Sequence, residues 1–241
     1  LLISSDITDA GISAGPDFST TNGSATLSTF TISQALNANN NVSISTGNSP
    51  GSEGQGNITL NRAFLNVAPT QPVSLGIQAA GNVYMTDSSI QSLNAPLTVR
   101  LVAGAAGGQV GDGGSSGGAI RIASSSIGTA GGDIILGGPS QACGAVLGCT
   151  AGNFGAVAGF SDGPADGVAI SGGSLRAGSG QIQIDGHSLI GFTDTAGVRI
   201  ANGSQLDASR ISIHGTVDIS DFSPDSLRYG VVVSDSSLAA T

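Results

Sequence analysis

The chain has 241 residues, of which 39% are hydrophobic and 10% charged, so a disordered chain is excluded and one domain with its own core is expected. All seven basic residues are arginines, scattered against a net charge of −9, which argues against nucleic acid or a polybasic membrane patch as a partner. No apolar stretch of about 18 residues is unbroken, so we expect no membrane insertion.

The first 50 residues (1–50) are the least regular part of the chain. In the stretch LSTFTISQALNANNNVSISTG (27–47), residues 33–36 are suited to a short helix, and the second half has the pattern of a strand. Further along, glycines, β-branched residues and a scarcity of helix formers predict many short strands joined by tight turns.

One phrase recurs along the rest of the chain: a small residue, two or three β-branched residues in alternation, a polar turn and another apolar residue. It occurs as GNITLNRAFLN (56–66), GNVYMTDSSIQS (81–92), GAIRIASSSIGT (118–129), GVAISGGSLRA (167–177), GVRIANGSQLDA (197–208) and GVVVSDSSLAA (230–240). Second phrases of strand length lie between them, as LTVRLVAG (97–104), GGDIILGG (131–138), GQIQIDGHSLIG (180–191) and RISIHGTVDIS (210–220). An apolar residue at every second position predicts half-buried strands.

The phrases recur at intervals of about 25 to about 50 residues, which is typical of a solenoid with insertions of variable length. We therefore predict an all-β fold, a right-handed parallel β-helix forming one domain over 1–241, with glycine-rich insertions at 104–116 and 137–166. A β-sandwich is disfavoured because strong hairpin turns are few. The side chains expected to stack inward in apolar ladders are Ile120, Ile122, Ile134, Leu136, Ile182, Ile184, Val198, Ile200, Ile211 and Ile213.

The insertion at 137–166 breaks the repeat and is apolar for a loop. Its cysteines, Cys143 and Cys149, can form a small disulfide ring, bind a metal or act in redox chemistry. We favour the disulfide, because the two histidines are distant in sequence and the spacing is not C-x-x-C. A disulfide would imply an oxidising compartment. The insertion either projects as a binding loop or folds back over a sheet, and the candidate binding residues are Val146, Leu147, Phe154 and Phe160.

Sequence patterns typical of catalytic sites are weak in this chain. We therefore predict that the protein is not an enzyme and uses no cofactor or metal. The glycine-rich stretch GGAIRIASSSIGTAGGDIILGG (117–138) lacks the lysine and the following helix of a phosphate-binding loop. A carbohydrate-active β-helix needs carboxylates on neighbouring rungs, whereas those here fall mostly at turns. The acidic residues considered are Asp87, Asp133, Asp185, Asp207, Asp218 and Asp235.

Two further sets of polar residues were considered as functional groups. His187 and His214 follow their strands at different offsets, so we do not expect them to stack. Four asparagines lie in N-x-S/T contexts that permit glycosylation and also arise easily in a chain rich in asparagine and serine, namely Asn22, Asn41, Asn57 and Asn202.

The order of TISQALNANNNVSISTG, GNITLNRAFLN, VSLGIQAAGNVYMTDSSIQSLNAPLTVRLVAG and GGAIRIASSSIGTAGGDIILGG resembles two-partner-secretion exoproteins of the filamentous haemagglutinin type. The resemblance covers most of 25–241 and lacks the family's N-terminal secretion domain. It implies a secreted or surface-held right-handed β-helix from a Gram-negative bacterium. Members of that family act as adhesins, as haem–haemopexin capture proteins or as stalks of contact-dependent toxins.

We therefore expect a fragment of a longer exoprotein that serves as an adhesin or as its surface scaffold. Its partner would be a receptor or glycan on a host cell or a neighbouring cell, and the outer-membrane secretion partner would act through a domain not in this fragment. A haem-carrier capture protein or a toxin stalk is the alternative among binding proteins. A polysaccharide lyase or hydrolase is the alternative among enzymes.

Overall fold

The structure is a computed structural model that describes residues 1–46, 56–103, 119–137, 166–188, 195–217 and 227–240. It is mostly parallel β-sheet, in agreement with the predicted all-β class. The elements in chain order are β1 Leu2–Ser4, β2 Asp17–Ser19, β3 Thr26–Ser28, α1 Thr29–Asn37, β4 Val42–Ser45, β5 Ile58–Asn61, β6 Phe64–Val67, β7 Val73–Gln78, β8 Val83–Thr86, β9 Ser89–Ser92, β10 Leu97–Val102, β11 Ile120–Ala123, β12 Ser126–Gly128, β13 Ile134–Leu136, β14 Val168–Ser171, β15 Ser174–Ser188, β16 Thr195–Ala201, β17 Gln205–Val217, β18 Arg228–Val233 and β19 Ser237–Ala240.

The strands form two curled parallel sheets. The first sheet has the order β18-β16-β14-β11-β8-β5-β1-β3, and the second follows the path β2-β4-β7-β10-β13-β15-β12-β9-β6 and adds β17 and β19. The second sheet contains two strips, because Ser174–Arg176 of β15 pairs with β12 whereas Ile182–Ile184 pairs with β13. We call the strip that contains β6, β9, β12 and β19 the middle strip, and the strip that contains β4, β7, β10 and β13 the third strip.

The chain visits the first sheet, the middle strip and the third strip in turn, and we call one such passage a layer. The strands β8, β9 and β10 form one layer, and β11, β12 and β13 form the next. Equivalent residues of successive layers are register partners, so that Ile120 pairs with Val83 on one side and with Val168 on the other. The recurring phrases of the sequence are therefore stacked on one another.

Alternation along these strands places an apolar side chain inward at every second position. The predicted inward residues Ile120, Ile122, Ile134, Leu136, Ile182, Ile184, Val198 and Ile200 are at most 1% exposed. Ile211 and Ile213 are partly buried and pack against the same core. The prediction of inward apolar ladders is thus confirmed, and each fully buried side chain of this size contributes about 1.5–3 kcal/mol of transfer free energy.

The corners between the strips differ in length. From the first sheet to the middle strip the chain needs only two or three residues. Each of these tight corners contains a residue with positive φ, and these residues are Arg62, Asp87, Ser124, Gly172, Asn202 and Asp235. The predicted insertions 104–116 and 137–166 both fall at another corner, between a strand of the third strip and the next strand of the first sheet. Both insertions thus connect the same two kinds of strand in successive layers.

The N-terminal end of the stack is covered by a helix. The helix predicted at 33–36 is longer, because the Oγ of Ser28 accepts a hydrogen bond from the Phe30 N–H and caps a helix that extends to Asn37. It buries Ile32 and Leu36 and packs against β6. Asparagine side chains near its C-terminal end accept the backbone N–H groups of Ala68, Thr70 and Ser74, at 2.7, 2.9 and 2.9 Å. Three backbone N–H groups next to the C-terminal end of the helix therefore have side-chain acceptors.

Candidate functional site

The predicted binding loop falls outside the described residues. This applies to the cysteines Cys143 and Cys149 and to the apolar candidates Val146, Leu147, Phe154 and Phe160. The disulfide and the binding role of this loop therefore stay predictions. The last residue of the predicted insertion, Asp166, is described, and it shows how the insertion returns to the sheet.

Asp166 is fixed to β16 by three hydrogen bonds. Its Oδ1 accepts the backbone N–H of Ala196 at 2.8 Å, and its Oδ2 accepts the Nε–H of Arg199 at 2.7 Å. The Nη2 of the same arginine lies 3.2 Å from Oδ1, so the guanidinium binds both carboxylate oxygens. The Asp166 side chain is only 3% exposed. The end of the insertion is therefore held at a defined place on the first sheet.

The strand pattern explains why Arg199 can reach this carboxylate. Val198 and Ile200 point into the core, so the residue between them lies on the outer face of the sheet. Its register partner in β14 is Ala169, and the next partners along the same row are Arg121 and Tyr84. We call these four residues, Tyr84, Arg121, Ala169 and Arg199, the arginine row.

Spacing within the arginine row follows from the sheet itself. Neighbouring strands lie about 4.8 Å apart, so the Cα atoms of Arg121 and Arg199 are about 10 Å from each other across Ala169. Arg121 and Arg199 both place positive charge beside the Asp166 carboxylate. The guanidinium of Arg121 is suited to ion pairing and hydrogen bonding with an anionic group.

The electrostatics of Asp166 are dominated by its burial. Burial raises the pKa of the Asp166 carboxyl, while the hydrogen bond and charge of Arg199, the Ala196 N–H and the charge of Arg121 act to lower it. Removal from water outweighs these contacts in setting the pKa, and the bidentate pair with Arg199 fixes the position of the carboxylate.

The acidic residues considered for catalysis are dispersed. Asp87 and Asp235 lie in tight corners of layers that are far apart in the first sheet, which confirms that they are turn residues. Asp133 instead accepts the Gln181 N–H at 2.8 Å, and Asp207 lies on β17 with its side chain exposed. Asp218 lies outside the described residues. Within the described ranges, no group of three or more His, Cys, Asp or Glu residues could hold a metal ion.

The two histidines occupy different register positions, as predicted. His187 is the register partner of Thr216, whereas His214 is the register partner of Asp185. The Nδ1 of His214 lies 3.9 Å from Asp185 Oδ1, and the other oxygen of this carboxylate accepts a hydrogen bond from Gln183 at 2.6 Å.

The four candidate glycosylation sites all use their carboxamide groups in hydrogen bonds. The Oδ1 atoms of Asn22, Asn41 and Asn57 accept backbone N–H groups at 2.8–3.0 Å. Asn202 donates from Nδ2 to the Oγ of Ser171 at 2.7 Å. Asn57 is half-buried between layers, while the other three are exposed.

Sequence reasoning did not find the pair between Asp166 and Arg199. The available signal was an aspartate at the end of the insertion and an arginine at the outward position of GVRI, 33 residues later. The two residues can be recognised as neighbours only when the register between layers is known. Insertions of unequal length separate equivalent positions by different numbers of residues.

Neither a protein-family model nor a curated protein matches the chain. Among the described residues, no helix combines the length and the apolar character needed to cross a membrane.

Proposed function

We propose that the chain is a right-handed parallel β-helix and part of a secreted two-partner-secretion exoprotein of the filamentous haemagglutinin type. In this proposal it lies at the surface of a Gram-negative bacterium and serves as a non-catalytic adhesin scaffold. Its partner is a receptor or glycan on a host cell or a neighbouring cell. The outer-membrane secretion partner acts through a separate secretion domain of the exoprotein.

The main observation that supports the proposal is the difference in length between the two kinds of corner in the stack. Successive layers keep their register through a corner of two or three residues, while the two long insertions each join a strand of the third strip to the next strand of the first sheet. A solenoid of this kind is stiff because each layer contacts only its neighbours, and its insertions can vary without disturbing the core. An adhesin requires both properties.

The arginine row gives this proposal a specific place for ligand contact. The insertion 137–166 returns to the body at Asp166, beside Arg199 and close to Arg121. A ligand that contacts the end of the insertion would therefore lie near Arg121, whose positive charge favours an acidic ligand over a neutral one.

Binding of the 241-residue chain to host cells and to a glycan panel tests the role of the insertion. One variant replaces residues 139–165 by a Gly-Ser linker, and another carries Cys143→Ser with Cys149→Ser. The matched control replaces residues 104–116, an insertion at the same edge one layer earlier. We expect loss of binding by at least about tenfold, or 1.4 kcal/mol, in the first variant and unchanged binding in the control.

Three results would count against parts of the proposal. Equal binding by all variants would exclude the insertion as the binding element. If the chain bound no cell and no glycan, a role as a stalk would be favoured over a role as an adhesin. Release of new reducing ends from a polysaccharide panel would favour the carbohydrate-active alternative. A crystal structure would test the right-handed path of the chain directly.

A further inference from the structure

We infer that the chain binds a neutral β-1,4-linked oligosaccharide on the outer face of α1 and β6, where two exposed phenylalanines occupy neighbouring positions. The site consists of Phe30, Gln34, Phe64 and Asn66, and we call it the aromatic platform. β6 belongs to the middle strip, so the platform is separate from the insertion 137–166 and from the arginine row on the first sheet. The inference goes beyond the proposed adhesin role and does not require it.

Two of the three phenylalanines in the described part of the chain are exposed, although phenylalanine is among the residues most often buried. Phe30 and Phe64 are 66% and 53% exposed, whereas Phe18 is 4% exposed. Phe64 lies on the outer face of β6, since Leu65 and Val67 point into the core. Because β6 is flanked by α1 and by β9, the exposure of Phe64 belongs to a lateral face of the stack and not to either of its ends.

The helix α1 runs alongside β6 and starts at the same corner. The Oγ of Ser5 lies 3.1 Å from the Oγ1 of Thr29 and accepts the backbone N–H of Phe64 at 2.9 Å, so the first residues of the helix and of the strand are neighbours. The other ends meet as well, because the Oδ1 of Asn37 accepts the backbone N–H of Ala68 at 2.7 Å. The nine residues of α1 rise about 12 Å and the step from Phe64 to Ala68 spans about 13 Å, so the two segments match in length.

The helical repeat turns Phe30 towards β6. Asn37 contacts the end of β6, and Phe30 lies seven residues before it, on the same side of the helix. A different flank of α1 faces the segment before β2, since the Oγ1 of Thr31 donates to the Oδ2 of Asp9 at 2.6 Å. Phe30, in the first turn of the helix, therefore lies beside Phe64, and both side chains are on the outer surface.

Each phenylalanine of the aromatic platform is followed by a carboxamide on the same face. Gln34 lies one turn after Phe30, and Asn66 is the next outward residue after Phe64; both are exposed. A carboxamide donates and accepts hydrogen bonds, which matches the hydroxyl groups of a sugar. The C–H face of a pyranose ring packs against an aromatic ring, so the platform offers both kinds of contact that a sugar makes.

The aromatic platform favours a neutral ligand. Neither α1 nor β6 contains a charged residue, so a charged ligand would lose water there without finding an opposite charge in either element. In β-1,4-linked glucose all hydroxyl groups are equatorial, and each ring therefore exposes C–H groups on both faces. A chain of such rings is flat and extended, which suits a helix and a strand that lie side by side.

The size of the aromatic platform argues against a protein partner. A phenylalanine side chain offers about 150–250 Å², so the exposed parts of the two side chains amount to on the order of 250 Å². A specific interface between proteins buries about 800 Å² on each partner, whereas two or three sugar rings can cover the smaller area. We therefore expect weak binding, with a dissociation constant of about 0.1–1 mM.

An NMR titration of the 241-residue chain with cellohexaose, a β-1,4-linked oligomer of glucose, tests this inference. The expected result is binding with saturation transfer from the protein to the ring C–H protons of the sugar. Phe30→Ala and Phe64→Ala should each raise the dissociation constant at least about fivefold, because each removes one stacking ring. Phe64→Tyr keeps the ring and should bind as the unchanged chain does.

The matched control for the phenylalanine variants is Leu93→Ala. Leu93 is 67% exposed and follows β9, about 13 Å along the strand from Ser89, the register partner of Phe64. The control removes an equally exposed apolar side chain away from the aromatic platform, so the dissociation constant should not change. Circular dichroism shows whether each variant keeps its strands.

The variant with a Gly-Ser linker in place of residues 139–165 separates this inference from the proposed adhesin role. It should bind cellohexaose as the unchanged chain does, because the aromatic platform lies on another strip. Binding to cells tests the insertion, whereas binding of cellohexaose tests the platform, so either idea can fail while the other holds.

Five outcomes would overturn the inference. Three of them are no binding of cellohexaose up to about 10 mM, equal weakening by Leu93→Ala and Phe64→Ala, and loss of cellohexaose binding in the linker variant. The fourth is tighter binding of an oligomer of galacturonic acid, which would mean that the site takes an acidic ligand. The fifth is binding to phosphatidylcholine vesicles that both Phe30→Ala and Phe64→Ala abolish, which would mean that the phenylalanines contact a lipid surface.

Discussion

The backbone N–H of Ser88 donates a hydrogen bond to the Oγ of Ser125, which lies 3.0 Å away in the next layer, and both residues are buried. The Ser88 hydroxyl accepts the N–H of Ala63 from the preceding layer at 3.0 Å. Further along the same column, Ser204 accepts the N–H of Gly173 at 3.2 Å. Serine hydroxyls therefore provide acceptors for backbone groups that the tight corner takes out of the sheet ladder.

Ser125→Ala should destabilise the protein by about 1–3 kcal/mol, because it leaves the Ser88 N–H buried without its acceptor. Urea unfolding followed by circular dichroism measures this change. Ser124→Ala is the control, because this neighbouring serine is exposed at the corner, and it should change stability by less than about 0.5 kcal/mol. Equal effects of the two substitutions would show that the hydroxyl column does not stabilise the corner.

Two adjacent isoleucines in β13 test the inward and outward faces of the third strip. Ile134 is fully buried, whereas Ile135 lies on the outer face between its register partners Arg100 and Gln183. Ile134→Ala should cost about 2–5 kcal/mol through lost burial and a cavity. We expect Ile135→Ala to cost clearly less, and urea unfolding of both variants compares them. A larger effect at Ile135 would mean that the register of β13 is shifted by one residue.

The apolar ladders could be predicted from the sequence because alternation alone determines which face of a strand a residue occupies. Ile182 and Ile184 follow this rule without any knowledge of their neighbours. The corner serines could also be recognised in the sequence, because a serine lies two residues before the inward apolar residue in DSSI, SSSI and NGSQL. The sequence indicated a polar turn there, but not that the hydroxyl is buried.

The length of α1 and the position of the arginine row could not be predicted, because both depend on contacts between distant segments. Asp9 accepts the Ser28 N–H and the Thr31 hydroxyl, both at 2.6 Å, and so supports the start of the helix from 19 and 22 residues away. Arg121 and Arg199 occupy one row only because layers of unequal length return to the same register. Interval lengths in the sequence do not determine that register.

Gly132 lies at the corner between the middle strip and the third strip, where the chain passes close to the preceding layer. A Cβ at this position would lie 2.4 Å from the backbone carbonyl carbon of Leu97. Gly132→Ala should therefore cost about 1–3 kcal/mol through forced movement of the backbone. Gly76→Ala in β7 is the control, because its Cβ would meet only the Val42 carbonyl oxygen at 3.9 Å. Thermal unfolding of both variants should separate them, and an equal change would exclude close packing as the reason for Gly132.

Asp166 should make stability depend on pH in a direction opposite to that of most paired carboxylates. Burial raises the pKa of Asp166 above its ordinary value of 3.8, so the folded protein keeps a proton that the unfolded chain has already lost. The contribution of Asp166 to the free energy of unfolding therefore falls as pH rises from 3.8 to the folded-state pKa, and is constant above it. Asp166→Asn has no such dependence. The free energy of unfolding of the unchanged chain minus that of the variant should be larger at about pH 3.5 than at about pH 7.

Arg199→Gln gives a second variant that distinguishes the effect of burial from a general effect of acid. The arginine lowers the pKa of Asp166, so its removal should raise this pKa further. The loss of stability with rising pH should then continue to a higher pH than in the unchanged chain. Urea unfolding at a series of pH values measures all three proteins. The free energy of unfolding could instead depend on pH in the same way in Asp166→Asn, Arg199→Gln and the unchanged chain. In that case the buried carboxylate does not control the pH dependence of stability, and its role is limited to positioning.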